Sequence, residues 1–244
     1  MKTLYIHSEA VHNLNAAREV VPILLQLTKS TSVLDVGCGT GTWLKVFEEN
    51  GVNDYLGVDG DYVERSMLKI PHKLFHAHDL TKSFTLGRKF DIVVSLEVAE
   101  HIPEQCADSF IESLVKHAEV LIFSAAIPGQ GGQNHLNEQW PEYWQKKFEP
   151  FGFYFHDVIR PQIWGNEQVD FWYRQNMFLV KREKPLQTPF HSLSVVHPEL
   201  LNLKIGNEKE YFQSLIDGKQ GIRLGFTIFL NTLKFKFKNL LGFK

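Results

Sequence analysis

The stretch Val33-Leu34-Asp35-Val36-Gly37-Cys38-Gly39-Thr40-Gly41 decides how this chain is expected to fold. Its first four residues have the composition of a buried strand, and a helical pattern follows from about residue 41. The glycines between them permit a tight turn and let a ligand approach the backbone closely. In a doubly wound sheet, the first strand-to-helix turn is where nucleotide-like ligands bind. The stretch therefore predicts a ligand site around its three glycines.

The glycine spacing narrows the kind of ligand. The pattern is GxGxG rather than the GxGxxG of dinucleotide-binding folds, and no lysine follows in the register of a phosphate loop. Pyrophosphate is therefore not the favoured ligand, although glycines that only form a turn stay an alternative. Asp59 ends the next predicted strand, where a carboxylate can accept both ribose hydroxyl protons. Alternatively, Asp59 caps a following helix.

Short apolar runs alternate with helical patterns on both sides of this stretch. The predicted strands are residues 33–36, 55–59, 90–96 and 120–126, and the predicted helices are 10–27, 41–50, 61–69 and 104–118. Such alternation indicates a parallel sheet. Two further aromatic-rich strands, 151–159 and 171–180, predict a terminal antiparallel hairpin.

Composition favours a folded chain with one main domain. Of its 244 residues, 43% are hydrophobic, enough for a substantial core. Two cysteines, Cys38 and Cys106, are too few for a disulfide framework or a thiolate zinc site, which fits a reducing compartment. The first residues lack the apolar stretch of a signal peptide, so we expect a cytoplasmic protein. Prolines in 184–194 indicate a linker, which divides the chain into 1–184 and 185–244.

Charge is distributed unevenly along the chain. The net charge is −2, but residues 219–244 hold six basic and no acidic residues, which leaves −8 on residues 1–218. An acidic main domain is a poor electrostatic match for a nucleic-acid backbone, so a large RNA or DNA substrate is disfavoured.

The basic tail predicts an amphipathic helix. One helical face collects the apolar residues Ile222, Phe226, Phe229, Leu230, Leu233, Phe237, Leu240 and Leu241, and Arg223, Lys234 and Lys238 group at the polar side. Its longest apolar stretch, 224–233, is too short to span a bilayer. The tail is therefore expected to lie on an anionic membrane, at its inner face. Packing on protein, or a short strand at 234–238, are the alternatives.

Four successive motifs, VLDVGCGTGTWL, YLGVDGD, HAHDL and FDIVVSLEVAEHIP, resemble those of the class I S-adenosylmethionine-dependent methyltransferases. The resemblance covers about residues 10–182. It implies a doubly wound Rossmann-like seven-stranded sheet that is mostly parallel with an antiparallel last strand, here followed by a C-terminal helical extension. It also implies a methyltransferase enzyme with S-adenosylmethionine as cofactor.

The resemblance also assigns site residues by motif. The glycine loop would hold the methionine moiety, Asp59 the ribose, and Asp79 the adenine amino group. Glu97 would lie beside the methionine end and the substrate entrance, a place for which Glu100 competes. The implied cofactor-binding residues are Asp35, Gly37, Gly39, Gly41, Asp59, Asp79, Leu80 and Glu97.

A hydroxyl acceptor needs a general base near the transferred methyl group. His101 and His135 follow predicted strands that end at the substrate edge, and the glycines of loop 128–139 give it the flexibility of a lid. We predict His135 as the base, with His101 and Glu97 as further catalytic candidates. Alternatively the histidines only anchor loops. A divalent metal bound by His101 or His135 together with Glu97 or Glu138 is a further alternative. The sequence shows no spacing signature for it, so no metal ligand is assigned.

Aromatic residues at 140–144 and 171–173 predict a stacking wall for a ring-shaped acceptor, with aromatic core as the alternative. The segments NHLNEQWPEYW and FWYRQNMFLV resemble methyltransferases of bacterial glycan-modifying pathways. This resemblance implies O-methylation of a sugar, glycan or other small molecule. Methylation of nitrogen or RNA, and a noncatalytic cofactor-binding module, are the competing interpretations.

Overall fold

A computed structural model describes residue 5 and residues 13–184, 194–217 and 219–240, with the side chains of 237–240 left out. The chain forms two compact units, Met1–His197 and Pro198–Lys244. Most of the predicted linker, residues 185–193, lies outside the described part of the chain.

The first unit alternates strands and helices. In chain order they are α1 Asn15–Thr28, β1 Ser32–Val36, α2 Thr42–Glu49, β2 Asp54–Asp59, β3 Phe75–Ala77, β4 Ile92–Leu96, α3 Ala107–Val115, β5 Val120–Ser124, α4 Pro141–Phe148, β6 Tyr154–His156, α5 Arg160–Ile163, α6 Phe171–Asn176 and β7 Phe178–Lys181. The strands form one seven-stranded sheet in the order β3-β2-β1-β4-β5-β7-β6. The first five are mutually parallel, and β7 is antiparallel to β5 and β6. The predicted doubly wound sheet is confirmed.

Both faces of the sheet are covered, which explains why its strands read as continuous apolar runs. Along β1, Leu34 and Val36 belong to the core that contains α3 and α4, whereas Val33 packs with α1 and α2. Side chains alternate in the same way along β5, where Leu121 and Phe123 face the first core and Ile122 the second. The sheet therefore sits between two helical layers, with its carboxyl edge left for the loops.

Two predicted elements are wrong. Residues 61–69 contain only the short 3₁₀ turn Arg65–Met67, because the N–H of Lys69 donates to the carbonyl of Thr40 and holds this segment on the glycine loop. Residues 171–176 are helix α6, not strand, and place the buried side chains of Gln175 and Asn176 inside the unit. Of the predicted strand 171–180, only residues 178–180 are extended, and β7 continues to Lys181.

Helix α1 is shorter than predicted. It begins at Asn15, and the predicted residues 10–12 lie outside the described part of the chain. Leu27, expected on its buried face, is exposed, whereas Ala17 and Val21 are buried. The buried face is thus rotated slightly from the predicted one.

The described part of the second unit contains α7, Pro198–Ile216, and α8, Ile222–Leu240. The predicted tail helix is confirmed over the described residues, and the alternative strand at 234–238 is wrong. Among the described helices, none combines the length and apolar character needed to cross a membrane.

Candidate functional site

The glycine loop after β1 is built from left-handed backbone. Gly37, Gly39 and Gly41 have φ values of 84°, 53° and 80°, which glycine adopts without steric cost. Two of the three also lack room for a side chain. A Cβ on Gly37 would lie 2.2 Å from Cγ2 of Val98, and one on Gly41 would lie 2.9 Å from Cγ1 of Ile70. The loop therefore requires glycine for its own packing as well as for any ligand.

Asp59 ties the end of β2 to this loop. The carboxylate is buried and accepts hydrogen bonds from the N–H of Gly39 at 2.7 Å and of Gly60 at 2.6 Å. The hydroxyl of Tyr62 donates to the same oxygen as Gly60, Oδ1, at 2.8 Å. Since no helix begins at residue 61, the helix-capping alternative for Asp59 is wrong.

Two buried polar atoms, one in β1 and one in the glycine loop, have no hydrogen-bond partner among the described residues. They are Oδ2 of Asp35 and Oγ1 of Thr40. Burial, followed by the charge of Asp59, raises the pKa of Asp35 to about 8. A ligand with a positively charged, hydrogen-bonding end would satisfy these atoms, because unpaired buried groups are costly. An ammonium and carboxylate end, as in the methionine moiety of S-adenosylmethionine, fits this donor set.

Asp79 and Leu80 follow β3. Asp79 is exposed, and its Oδ1 accepts the N–H of Thr81 at 3.1 Å and the hydroxyl of Thr81 at 2.7 Å. These bonds hold the pKa of Asp79 below its usual range. Leu80 is buried in the core beside it. The predicted adenine contacts of both residues remain predictions.

Glu97 lies directly after β4 in a left-handed conformation, with φ of 55°, which is uncommon for a residue other than glycine. Its Oε2 accepts from Nε2 of Gln130 at 2.8 Å, and its Oε1 accepts from Nδ2 of Asn176 at 3.1 Å. Burial raises the pKa of Glu97 to about 7, against these hydrogen bonds. The two amides were not predicted as site residues; the only sequence signal was polar residues flanked by apolar or glycine-rich segments.

The loops after β4 and β5 meet at the carboxyl edge of the sheet. The N–H groups of Leu136 and Asn137 donate to the carbonyl of Glu100 at 2.8 and 2.9 Å. This joins the two predicted histidines: the rings of His101 and His135 lie 4.9 Å apart and nearly perpendicular. Burial, followed by the charge of His135, lowers the pKa of His101 to about 4. The ring of Tyr5 meets His101 edge-on at 5.3 Å.

A carboxylate orients His135. Nδ1 of His135 lies 2.7 Å from Oε1 of Glu138. Glu138 also accepts the N–H of Gly129 at 2.7 Å and of Gly131 at 2.6 Å, so the loop predicted as a lid is folded around this side chain. His135 therefore anchors the loop, which was the alternative interpretation of this residue. Its contact with Glu138 uses Nδ1 and leaves Nε2 for another partner.

Glu100, the competitor of Glu97, occupies a different position. It is 0% exposed, and neither carboxylate oxygen has a hydrogen-bond partner among the described residues. The amides of Glu100 and Ala126 lie near enough to favour its charged form, but burial dominates and raises its pKa. Glu97 thus joins the amides of Gln130 and Asn176, whereas Glu100 joins the two histidines.

Part of the predicted aromatic wall is core. Trp144 is 1% exposed and packs against Phe123, so it does not face an acceptor. Trp140, by contrast, is 40% exposed. Tyr173 meets Trp43 edge-on at 5.2 Å.

Comparison with known proteins identifies the family. A family model described as a methyltransferase domain matches residues 9–156. The ubiquinone biosynthesis O-methyltransferase of Actinobacillus pleuropneumoniae serotype 7 (strain AP76) is 32% identical over 105 residues, which cover 38% of this chain and 44% of that protein. The chain therefore spans less than half the length of this curated relative.

Three solved structures share the fold, each at 16–17% identity. The sugar N-methyltransferase KedS8 of Streptoalloteichus sp. ATCC 53650 has a TM-score of 0.55, covering 75% of this chain and 98% of its own. DesVI of Streptomyces venezuelae scores 0.53 over 73% and 100%. CalS10 of Micromonospora echinaspora, an amino pentose methyltransferase solved with S-adenosylmethionine bound, scores 0.52 over 75% and 100%.

The family model covers more than half of the chain, and the sheet order and the glycine loop agree with it. The chain belongs to the methyltransferase-domain family, and its seven-stranded sheet has the Rossmann-like fold of class I S-adenosylmethionine-dependent methyltransferases.

Proposed function

We propose that this enzyme methylates a hydroxyl oxygen of a small molecule, with a sugar or glycan as the acceptor class. The observation that carries the proposal is the pair His135 and Glu138, 2.7 Å apart at the carboxyl edge of the sheet. An oxygen acceptor has a high pKa and needs such a base, whereas an amine needs only to arrive deprotonated. The name of the relative that is 32% identical over 105 residues, an O-methyltransferase, supports oxygen as the acceptor atom.

The cofactor would be held by residues on three successive loops. The carboxylate of Asp59 would accept the ribose hydroxyls, Asp35 and Thr40 would meet the charged methionine end, and Asp79 with Leu80 would border the adenine. When bound, S-adenosylmethionine supplies a methyl group on a positively charged sulfur. A nucleophile attacks the methyl carbon in line with the S–CH₃ bond, and the sulfur leaves. The glycine loop and Asp59 thus supply positioning rather than acid–base chemistry.

In this proposal, His135 accepts the hydroxyl proton. The contact with Glu138 assigns the ring hydrogen to Nδ1, which donates it to the carboxylate. Nε2 then carries the lone pair that accepts the proton. The carboxylate of Glu138 then stabilises the imidazolium that forms. His101 has a low pKa and is neutral at pH 7, so it adds no competing charge beside His135.

The acceptor class is inferred from the polar groups next to this pair. Gln130, Asn176 and Glu97 form a partly buried, hydrogen-bonded set of amide and carboxylate groups, in which Nδ2 of Asn176 also donates to Oε1 of Gln130 at 2.9 Å. Such groups can recognise several hydroxyls at once, as a sugar offers. The two amides contact Glu97, which the family resemblance assigns to the substrate entrance, and this supports a role for them in acceptor recognition.

Two measurements test the proposal in sequence. Calorimetry with S-adenosylmethionine and S-adenosylhomocysteine should give binding that Asp59→Ala abolishes and the neighbouring exposed control Asp61→Ala leaves unchanged. Labelled methyl transfer to sugars and nucleotide sugars should then give O-methyl products, lost in His135→Gln. Failure of the wild type to bind either compound, or methylation of amines only, would overturn the proposal.

We also propose that the second unit brings the enzyme to an anionic lipid surface. Helix α8 exposes Ile222, Phe226, Phe229, Leu230 and Leu233 at helical spacing, and residues 219–244 contain no acid. Arg223 and Lys234 flank this apolar row. Deletion of 219–244 should abolish sedimentation with vesicles containing anionic lipid, whereas zwitterionic vesicles should bind neither protein. Equal sedimentation of both proteins would contradict the idea.

A further inference from the structure

Three chemically suitable side chains converge between the loops after β4 and β5. Glu100, His101 and His135 each offer one ligand atom, and these atoms all lie within 4.8 Å of one another. The chain order did not predict the group, because 33 residues lie between His101 and His135. The hydrogen bonds from Leu136 and Asn137 to the carbonyl of Glu100 bring them together.

Glu100 supplies the second, independent observation. Its side chain is completely buried, yet both carboxylate oxygens lack a hydrogen-bond partner among the described residues. A buried carboxylate without partners is strongly unfavourable unless a cation or proton compensates it. One carboxylate oxygen of Glu100 lies within 4.8 Å of a ring nitrogen of His101 and of a ring nitrogen of His135.

Each histidine already has one nitrogen held by an oxygen acceptor. Nδ1 of His135 is bound to Glu138 at 2.7 Å, and Nδ1 of His101 lies 3.3 Å from the carbonyl of Asn134. This arrangement is typical of metal-binding histidines, whose second nitrogen is oriented by a carboxylate or carbonyl. It leaves Nε2 of each ring to coordinate.

We propose that Glu100, His101 and His135 form a binding site for a first-row divalent cation. Two imidazoles and one carboxylate suit the series from Mn²⁺ to Zn²⁺ and leave coordination positions open. The acceptor hydroxyl would take one of these positions, where a cation lowers the pKa of a bound oxygen. The sequence offered no spacing signature for such a site.

This inference rests on the proposed function for its hydroxyl acceptor. It changes the proposed role of His135 from general base to cation ligand. With the cation bound, Nε2 of His135 donates its lone pair to the cation and no longer accepts the proton. The hydroxyl proton leaves to water, and the oxygen electron pair forms the new O–CH₃ bond. The electron pair of the broken S–CH₃ bond stays on sulfur.

The test uses the full-length protein stripped of metal with a chelator. Electron paramagnetic resonance with Mn²⁺ and calorimetry with Co²⁺ should show one site per chain, with Co²⁺ bound more tightly. Glu100→Gln and His135→Gln should each weaken binding at least about tenfold. The matched controls Glu104→Gln and His72→Gln, both at exposed positions, should bind like the wild type. Circular dichroism checks that each variant folds.

The outcomes separate this inference from the proposed function. Absence of binding by the wild type, or equal binding by the site variants and the controls, overturns the cation site. Hydroxyl methylation that proceeds at an unchanged rate in chelator also overturns it while the proposed function stands. A bound cation with methylation of amines only would support the site and overturn the proposed acceptor.

Discussion

Nδ1 of His135 lies 2.7 Å from Oε1 of Glu138, and the same carboxylate accepts the backbone N–H groups of Gly129 and Gly131. Burial acts to raise the pKa of Glu138, but these hydrogen bonds hold it below its usual range. The ionised carboxylate therefore organises the loop after β5 and orients the imidazole at the same time. A single side chain couples loop conformation to the chemistry of His135.

Replacing Glu138 by Gln should impair the reaction without affecting the cofactor. The amide retains the shape but offers only one acceptor oxygen and no charge, so His135 loses its fixed orientation. We expect methyl transfer to fall about 10- to 100-fold, with the Kd of S-adenosylhomocysteine unchanged by calorimetry. Glu167→Gln, at an exposed position, is the matched control. A large loss of cofactor binding would contradict the assignment.

Gly132→Ala should act on His135 through space alone. A Cβ at this position would lie 2.2 Å from Nε2 of His135, so the ring must move. We expect Mn²⁺ binding to weaken about tenfold or more, by analogy with lost outer-shell support. Gly165→Ala is the control, because a Cβ there meets nothing within 4 Å. Unchanged Mn²⁺ affinity in Gly132→Ala would place the coordinating atom elsewhere.

Tyr62→Phe should tighten cofactor binding. The Tyr62 hydroxyl and the Gly60 N–H together use both lone pairs of Oδ1 of Asp59, so a ribose hydroxyl reaches this atom only after Tyr62 rotates away. Losing one hydrogen bond of about 1 kcal/mol corresponds to roughly fivefold tighter binding of S-adenosylhomocysteine. Calorimetry beside Tyr154→Phe provides the comparison. Weaker binding would instead mean that Tyr62 contacts the cofactor directly.

Asp91→Asn should lower stability in a pH-dependent way. Oδ2 of Asp91 accepts the N–H and hydroxyl of Thr31 at 2.7 and 2.8 Å and the N–H of Ser32 at 3.0 Å, which lowers its pKa. A lowered pKa stabilises the fold above the unfolded value of about 3.9, and this contribution disappears as pH falls through the folded pKa.

Urea unfolding checks this prediction for Asp91. Because the side chain is exposed, we expect the free energy of unfolding at pH 7 to fall by no more than about 1 kcal/mol. The difference from wild type should shrink as pH falls through the lowered pKa of Asp91. Asp61→Asn, at a highly exposed carboxylate, should show little difference at either pH. A gap that persists in acid would point to a cause other than charge.

Replacing Trp144 by Ala should destabilise the protein much more than replacing Trp140 by Ala. Trp144 is 1% exposed and Trp140 is 40% exposed. Trp144→Ala should lower the free energy of unfolding by about 3–5 kcal/mol, since it removes a buried ring. Trp140→Ala should cost far less. Urea titration followed by circular dichroism measures both, and comparable losses would contradict the assignment of Trp144 to the core.

The sequence by itself determined the scaffold of the cofactor site. Apolar runs that lead into glycines mark β1 and its loop, and the alternation of strands and helices gives the parallel sheet, because burial on both faces leaves a local pattern. Asp59, His101 and His135 were identified for a related reason: Asp59 ends a strand, the two histidines follow strands, and parallel strands end at one edge. Glu97 was assigned from the family resemblance. Two segments were predicted wrongly from local pattern. Residues 61–69 are not a helix, because the N–H of Lys69 donates to the carbonyl of Thr40. Residues 171–176 are a helix although their aromatic residues favour a strand.

Only the tertiary structure decided which side chains meet. The pairing of β4 with β5 places their two following loops side by side, and backbone bonds to the carbonyl of Glu100 fix their relative position. As a result, Glu97 lies against the amides of Gln130 and Asn176, whereas Glu100 lies near the two histidines. Periodicity reports how each residue faces its own strand or helix, whereas distances across loops depend on strand order and side-chain packing, which no local pattern encodes.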